Sequence, residues 1–107
     1  MDELQQQVLI LIRHGRDNAI KGSSLARACG LKNDRAVRLA IRELIQAGEP
    51  IASAVTPPYG FYLAETPGEC EEYIRVEREM IIENARRLRD FKVATKLIRN
   101  PEQMVLL

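Results

Sequence analysis

The sequence has few of the residues from which most catalytic and metal sites are built. Its 107 residues include one histidine, two cysteines and no tryptophan. The cysteines, Cys29 and Cys70, stand apart, with no CxxC spacing and no histidine cluster beside them. We therefore interpret both as small buried apolar residues in a reducing cytosol, and we expect neither a disulfide nor a bound metal.

Other absences argue against catalysis and membrane insertion. The chain contains no Ser–His or Cys–His set and no glycine-rich phosphate loop, so we expect neither an enzyme nor a cofactor, and no small-molecule substrate is evident. No apolar run approaches the roughly 20 residues that a membrane-spanning helix needs, and no signal-peptide pattern opens the chain. These features predict a cytoplasmic protein without a membrane partner.

The charge is small in total but unevenly distributed. The net charge is +1. Residues 13–42 carry eight bases against two acids, residues 65–79 carry six acids against two bases, and residues 86–99 carry six bases against one acid. This basic–acidic–basic pattern is compatible with a face that binds a polyanion.

The segment 33–48 organises the rest of the chain. Its apolar positions fall on one helical face, and these are Val37, Ile41, Leu44 and Ile45. Its arginines form a second stripe, and these are Arg35, Arg38 and Arg42. Asn33 or Asp34 is suited to cap the first turn, and Gly48 to end the helix. A helix with one apolar face and one arginine face suits a groove lined with phosphates; the alternative is a solvated face on an ordinary core helix.

The preceding segments predict two shorter helices. The first covers residues 4–13 and ends at Gly15, with His14 at its terminus as a capping or surface residue. A brief strand around Ala19 and Ile20 follows, and Ser23 then caps a second helix that stops at Gly30. A tight turn joins this helix to the arginine helix, which is the helix-turn-helix arrangement whose second helix lies in the DNA major groove.

A β-hairpin is predicted after Gly48. Residues 49–55 and 61–64 are rich in strand-forming residues and flank a proline- and glycine-containing turn at 56–60. The predicted fold is therefore mainly α with a small β-hairpin, in the order of a winged helix-turn-helix domain over residues 1–65.

The same region resembles a known family. Its motif begins with residues 34–38, DRAVR, continues with GEPIAS at 48–53 and ends with GFYLA at 60–64. In this it is similar to small winged helix-turn-helix proteins of phages and mobile elements, which are distantly like the biotin-repressor DNA-binding domain. The resemblance implies DNA binding. One departure is the hairpin turn, which carries Tyr59 but no lysine or arginine, so we expect most of the binding to fall on the helix.

A long helix is predicted for residues 66–100. Thr66 as N-cap, Pro67 and Glu69 form a capping box, and no proline follows until Pro101, so the helix runs some 33 residues, roughly 50 Å. Apolar residues repeat at a spacing of seven or extend an adjoining track, and the dimerisation residues predicted from them are Ile74, Ile81, Leu88 and Phe91. We predict self-association; folding back onto its own domain is the alternative. Residues 101–107 form a short tail.

These features together predict a homodimer that binds double-stranded DNA, as a transcriptional regulator or a replication factor of a phage or plasmid, associated with the nucleoid when bound. Arg35 and Arg38 would read guanine and Asn33 adenine. The residues predicted to hold phosphates are Lys21, Ser23, Ser24, Lys32, Arg42 and Tyr59. The alternative is a winged-helix module that binds protein rather than DNA.

Overall fold

The computed structural model describes residues 1–102, and residues 103–107 of the predicted tail lie outside it. The fold is mainly helical, with a two-stranded antiparallel sheet and a long C-terminal helix, as the sequence predicts at that level. In chain order the elements are α1 (Glu3–Leu11), a 3-10 turn (Arg16–Asn18), α2 (Gly22–Ala28), α3 (Arg35–Gln46), β1 (Ile51–Ala54), β2 (Gly60–Leu63), α4 (Pro67–Ala94) and α5 (Lys96–Arg99). The chain divides into two compact units, one over Met1–Tyr73 and one that begins at Ile74.

The first unit has an aliphatic core supplied by its three helices and its sheet. Val8 on α1, Leu25 on α2 and Val37 on α3 are fully buried, and Leu44 on α3 is 1% exposed. Tyr62 on β2 adds the largest buried side chain, and burial raises the pKa of its hydroxyl. The apolar face predicted for α3 therefore forms the centre of this core.

The sheet is extended by the segment between α1 and α2. β1 and β2 pair with Ile51 opposite Leu63. The strand predicted near Ile20 is reduced to a single antiparallel bridge, in which Ile20 and Phe61 exchange backbone hydrogen bonds of 2.9 and 2.8 Å. Gly60 makes this approach feasible: its φ is +123°, and a Cβ there would lie 2.2 Å from the Ile20 carbonyl oxygen.

The predicted end of α1 and the predicted start of α2 are wrong, because backbone pairing with the hairpin determines both positions. α1 ends at Leu11 rather than at Gly15, since the chain turns extended at Ile12. His14 forms a parallel backbone bridge with Leu63 and does not cap the helix, and it is exposed, which confirms the alternative of a surface residue. α2 begins at Gly22, so Ser23 lies inside its first turn and does not cap it. Gly48, with φ +106°, follows the last residues of α3 as predicted.

Two residues predicted to be buried are exposed. Ile45 is 45% exposed, because each four-residue step along a helix advances about 40° beyond a full turn, which carries Ile45 past Ile41 to the edge of the buried face. Cys70 is exposed and Cys29 only half-buried. Cys70 lies near the start of α4, a helix that buries none of its residues.

The start of α4 carries the predicted cap. The Glu69 N–H donates to the Thr66 hydroxyl oxygen at 3.1 Å, which confirms Thr66 as the cap. The Glu69 carboxylate accepts from the backbone N–H of Arg16 at 2.7 Å and of Glu65 at 2.8 Å, and the Thr66 N–H also helps to lower its pKa. Glu69 thereby ties the first turn of α4 to the segment after α1.

The predicted continuous helix to residue 100 is wrong at one position. α4 has 28 residues, about 42 Å at 1.5 Å per residue, and the helix is interrupted at Thr95 before the four residues of α5. The Thr95 hydroxyl donates to the Phe91 carbonyl oxygen at 2.7 Å, and a threonine that bonds back by four residues tends to bend a helix.

We expect the carboxylate of Glu69 to make the stability of the folded protein depend on pH. The hydrogen bonds from the N–H groups of Arg16 and Glu65 hold the pKa of Glu69 below its ordinary value. A carboxylate whose pKa is lowered in the folded state contributes its full stabilisation of that state at pH values above its ordinary pKa, about 4.3. That stabilisation is lost as the pH falls through the lowered pKa of the folded state. Glu69→Gln should therefore flatten the fall of the thermal midpoint between pH 5 and pH 2.5.

The matched control is Glu71→Gln, which removes a neighbouring exposed carboxylate that makes no hydrogen bond to Arg16. Midpoints measured against pH for the parent and both variants test the assignment. Identical curves for Glu69→Gln and Glu71→Gln would show that the tie to Arg16 contributes nothing.

Candidate functional site

α3 presents the predicted arginine stripe to solvent. Val37, Ala40, Ile41 and Leu44 occupy its buried face. On the other side the stripe consists of three exposed residues, Arg35, Arg38 and Arg42. The helix therefore combines an apolar anchoring face with a cationic outer face.

Four of the predicted phosphate- and base-contacting residues meet at one cleft. A cleft of about 390 Å³ lies where the start of α2, the first turns of α3 and the hairpin come together. The predicted residues that line it are Lys21, Ser23, Arg38 and Tyr59. Three segments distant in sequence thus place an ammonium, a guanidinium and two hydroxyl groups around one concave surface, which is the set of donors that a phosphate or a base edge accepts from.

Arg38 is the most constrained arginine of the stripe. Its Nε donates to Asp34 Oδ2 at 2.8 Å, and its guanidinium carbon lies 5.4 Å from the centroid of the Phe61 ring. Its two terminal nitrogens have no hydrogen-bond partner within residues 1–102, and its side chain is 61% exposed. Arg38 is therefore oriented by two neighbours while its outward-facing donors stay available.

The other predicted residues do not line the cleft. Ser24, Lys32, Arg35 and Arg42 are exposed. Asn33 already makes a local hydrogen bond: its Oδ1 accepts from the Arg35 backbone N–H at 3.1 Å. The acceptor half of the amide predicted to read adenine is therefore engaged in a local turn at the start of α3.

Comparison with known proteins adds no assignment: no protein-family model, no curated protein and no solved structure matches the chain significantly. A function for this protein must therefore be argued from the geometry of the site.

The hairpin turn is held by an arginine from outside it. Arg16 donates from Nη2 to the Thr56 carbonyl oxygen at 2.7 Å and to its hydroxyl oxygen at 2.6 Å, and from Nη1 to the Pro58 carbonyl oxygen at 3.1 Å. Tyr59, 49% exposed, lies in this turn. Arg16 gives the turn a cationic neighbour, but most of its donors serve the turn itself.

Sequence reasoning missed three residues of this arrangement. The ion pair of Asp34 with Arg38 has the four-residue spacing at which helical side chains meet, so the sequence contained that signal. The contact of Phe61 with Arg38 and the bonds of Arg16 to the hairpin turn join residues 23 and 40 or more positions apart, and only the folded chain brings them together.

The predicted dimerisation residues lie in the second unit and are all exposed. Ile74, Ile81, Leu88 and Phe91 are 46%, 68%, 57% and 66% exposed. Within the described residues no group of three or more potential metal ligands occurs, and no helix of that part of the chain is long and apolar enough to cross a membrane.

Proposed function

We propose that the protein binds double-stranded DNA as a homodimer, with a winged helix-turn-helix domain in which α2 and α3 form the helix-turn-helix and the hairpin forms the wing. The observation that carries the proposal is the exposed stripe of Arg35, Arg38 and Arg42, with Arg38 pre-oriented. An arginine with two free parallel donors matches the O6 and N7 acceptors of guanine in the major groove.

The surroundings of Arg38 support this proposal. Asp34 and Phe61 restrict the guanidinium before binding, so less side-chain freedom is lost when it contacts a base. Lys21 and Ser23 line the same cleft and have the chemistry to hold a phosphate beside the base that Arg38 reads. The biological role that we propose is transcriptional regulation or replication of a phage or other mobile element, in the cytoplasm.

A protein-binding module is the second candidate, and two observations favour it. Leu39 and Ile45, both on α3, are 58% and 45% exposed beside the arginine stripe, and the hairpin turn contains no lysine or arginine. An apolar pair with flanking arginines is also a usual composition for a protein interface. DNA binding that weakens steeply with salt would separate the two candidates, since release of counterions accompanies phosphate contacts.

Arg38→Ala is the direct test of the DNA-binding proposal. We expect it to weaken binding to the preferred duplex by about 1–3 kcal/mol and to relax the preference at one base pair. Arg38→Lys should retain most of the salt dependence and weaken the base preference, because a flexible ammonium group lacks the rigid planar fork with which a guanidinium meets O6 and N7 of guanine.

The measurement begins with a duplex selected from a randomised library by the parent protein and continues with titrations at several salt concentrations. Arg86→Ala is the control, since it removes the same charge from an exposed position of α4. If Arg38→Ala and Arg86→Ala bind the selected duplex equally well, α3 does not read DNA.

A further inference from the structure

α4 carries two rows of residues at heptad spacing, which we call the seam. One row is Ile74, Ile81 and Leu88; the other is Glu77, Asn84 and Phe91. Neighbouring residues of the two rows are three or four positions apart and lie on one side of a helix. α4 buries none of its residues, so the apolar members of the seam lack a covering partner within the described chain.

The two halves of α4 have opposite net charge. Residues 67–80 carry five acids and two bases, and residues 81–94 carry two acids and four bases. Two copies of such a helix attract each other most when the acidic half of one lies along the basic half of the other.

We infer that two copies of the protein pair through α4 in antiparallel orientation, with Ile74 opposite the partner's Phe91 and Ile81 opposite the partner's Asn84. The inference rests on the homodimer of the proposed function and specifies its geometry. The same register places Glu77 opposite the partner's Leu88 and next to its Arg87, and Glu71 near the partner's Lys92, so each of these two acids has a base of the partner beside it.

The parallel arrangement is disfavoured by the same residues. Pairing in register would place Glu77 against the partner's Glu77 inside the seam, and Arg87 beside the partner's Lys92 on its flank. Buried like charges without counter-charges are costly. A parallel pair gains one hydrogen bond between two Asn84 side chains. This bond is between neutral groups and is weaker than the repulsions between the two Glu77 carboxylates and between Arg87 and Lys92.

The ion pairs already present along α4 do not compete strongly. Arg87 lies 3.8 Å from Glu83 on the same helix, with both side chains more than half exposed. Exposed pairs of this kind contribute little, so the Arg87 guanidinium is available to Glu77 of a second chain.

Cysteine cross-linking tests the orientation. Ile74→Cys and Phe91→Cys are each introduced into a Cys70→Ser chain, one of them with a size tag, and the two are co-expressed and treated with a short bismaleimide. We expect dimers of mixed size from the co-expressed pair and none from Ile74→Cys alone, because antiparallel pairing separates the two copies of position 74 by about 25 Å. The Cys70→Ser chain alone shows whether Cys29 cross-links.

Sedimentation of the parent protein separates the possible failures. A dimer in which Ile74→Cys cross-links to itself overturns the antiparallel orientation and leaves the dimer intact, as does a dimer in which no combination cross-links. A monomer at tens of micromolar overturns both the orientation and the dimer of the proposed function, while the Arg38→Ala titrations still decide whether DNA is bound.

Discussion

Leu44→Ala is expected to lower the free energy of unfolding of the first unit by about 2–5 kcal/mol. Leu44 is 1% exposed on α3 and lies in the same core as Val8, Val37 and Ile51. Its truncation removes buried apolar surface and leaves a cavity in a close-packed core. Domains of this size are stable by only about 5–15 kcal/mol, so this single change should remove a large fraction of the total.

Tyrosine fluorescence during denaturant unfolding measures this effect in the first unit alone. The chain has no tryptophan, and its three tyrosines, Tyr59, Tyr62 and Tyr73, all lie in that unit. Leu39→Ala is the matched control, because it removes the same side chain from a 58% exposed position of the same helix. Equal midpoints for Leu44→Ala and Leu39→Ala would place Leu44 outside the core.

The periodic part of α3 was predictable because one residue pattern determines it. Apolar positions that repeat with the helical period must face the core, and Val37, Ile41 and Leu44 do. Ile45 was mispredicted because it lies at the margin of that face, where the pattern distinguishes buried from exposed positions poorly.

The ends of the first two helices were less predictable because residues far along the chain determine them. The bridges of His14 to Leu63 and of Ile20 to Phe61 require extended backbone, and this overrides the local tendency of Gly15 to stop a helix and of Ser23 to cap one. Local signals determine an end only where no such pairing competes, as at Thr66, which caps α4.

The candidate site divides in the same way. The stripe of arginines follows from spacing on one helix, but the cleft does not, since it needs the hairpin folded against α2 and α3. The stacking of Arg38 on Phe61 distinguishes Arg38 from Arg35 and Arg42, which have equal standing in the sequence.

The double variant Ile81→Glu with Leu88→Glu is expected to convert the dimer into a folded monomer. Its binding to a duplex with two recognition sites should weaken by about 100-fold or more, because linking two binding sites typically raises the overall affinity by that much. Both positions lie in the seam and are 68% and 57% exposed within one chain, so the new charges disturb little of the monomer. In a dimer the introduced carboxylates would be buried without counter-charges. The one at position 88 would face the partner's Glu77 in the antiparallel arrangement, and the carboxylate at position 88 of the partner in a parallel one.

Sedimentation at tens of micromolar and titration of the duplex measure the two effects separately. The control is Ile82→Glu with Val93→Glu, which adds the same charge at positions 47% and 72% exposed and outside the heptad rows of the seam. Dimerisation and binding should survive in the control, because its charges remain in solvent. A seam variant that stays dimeric would show that two chains do not meet through this face. A seam variant that becomes monomeric but binds the two-site duplex as tightly as the parent would separate dimerisation from DNA recognition, and Arg38 would then act within a single chain.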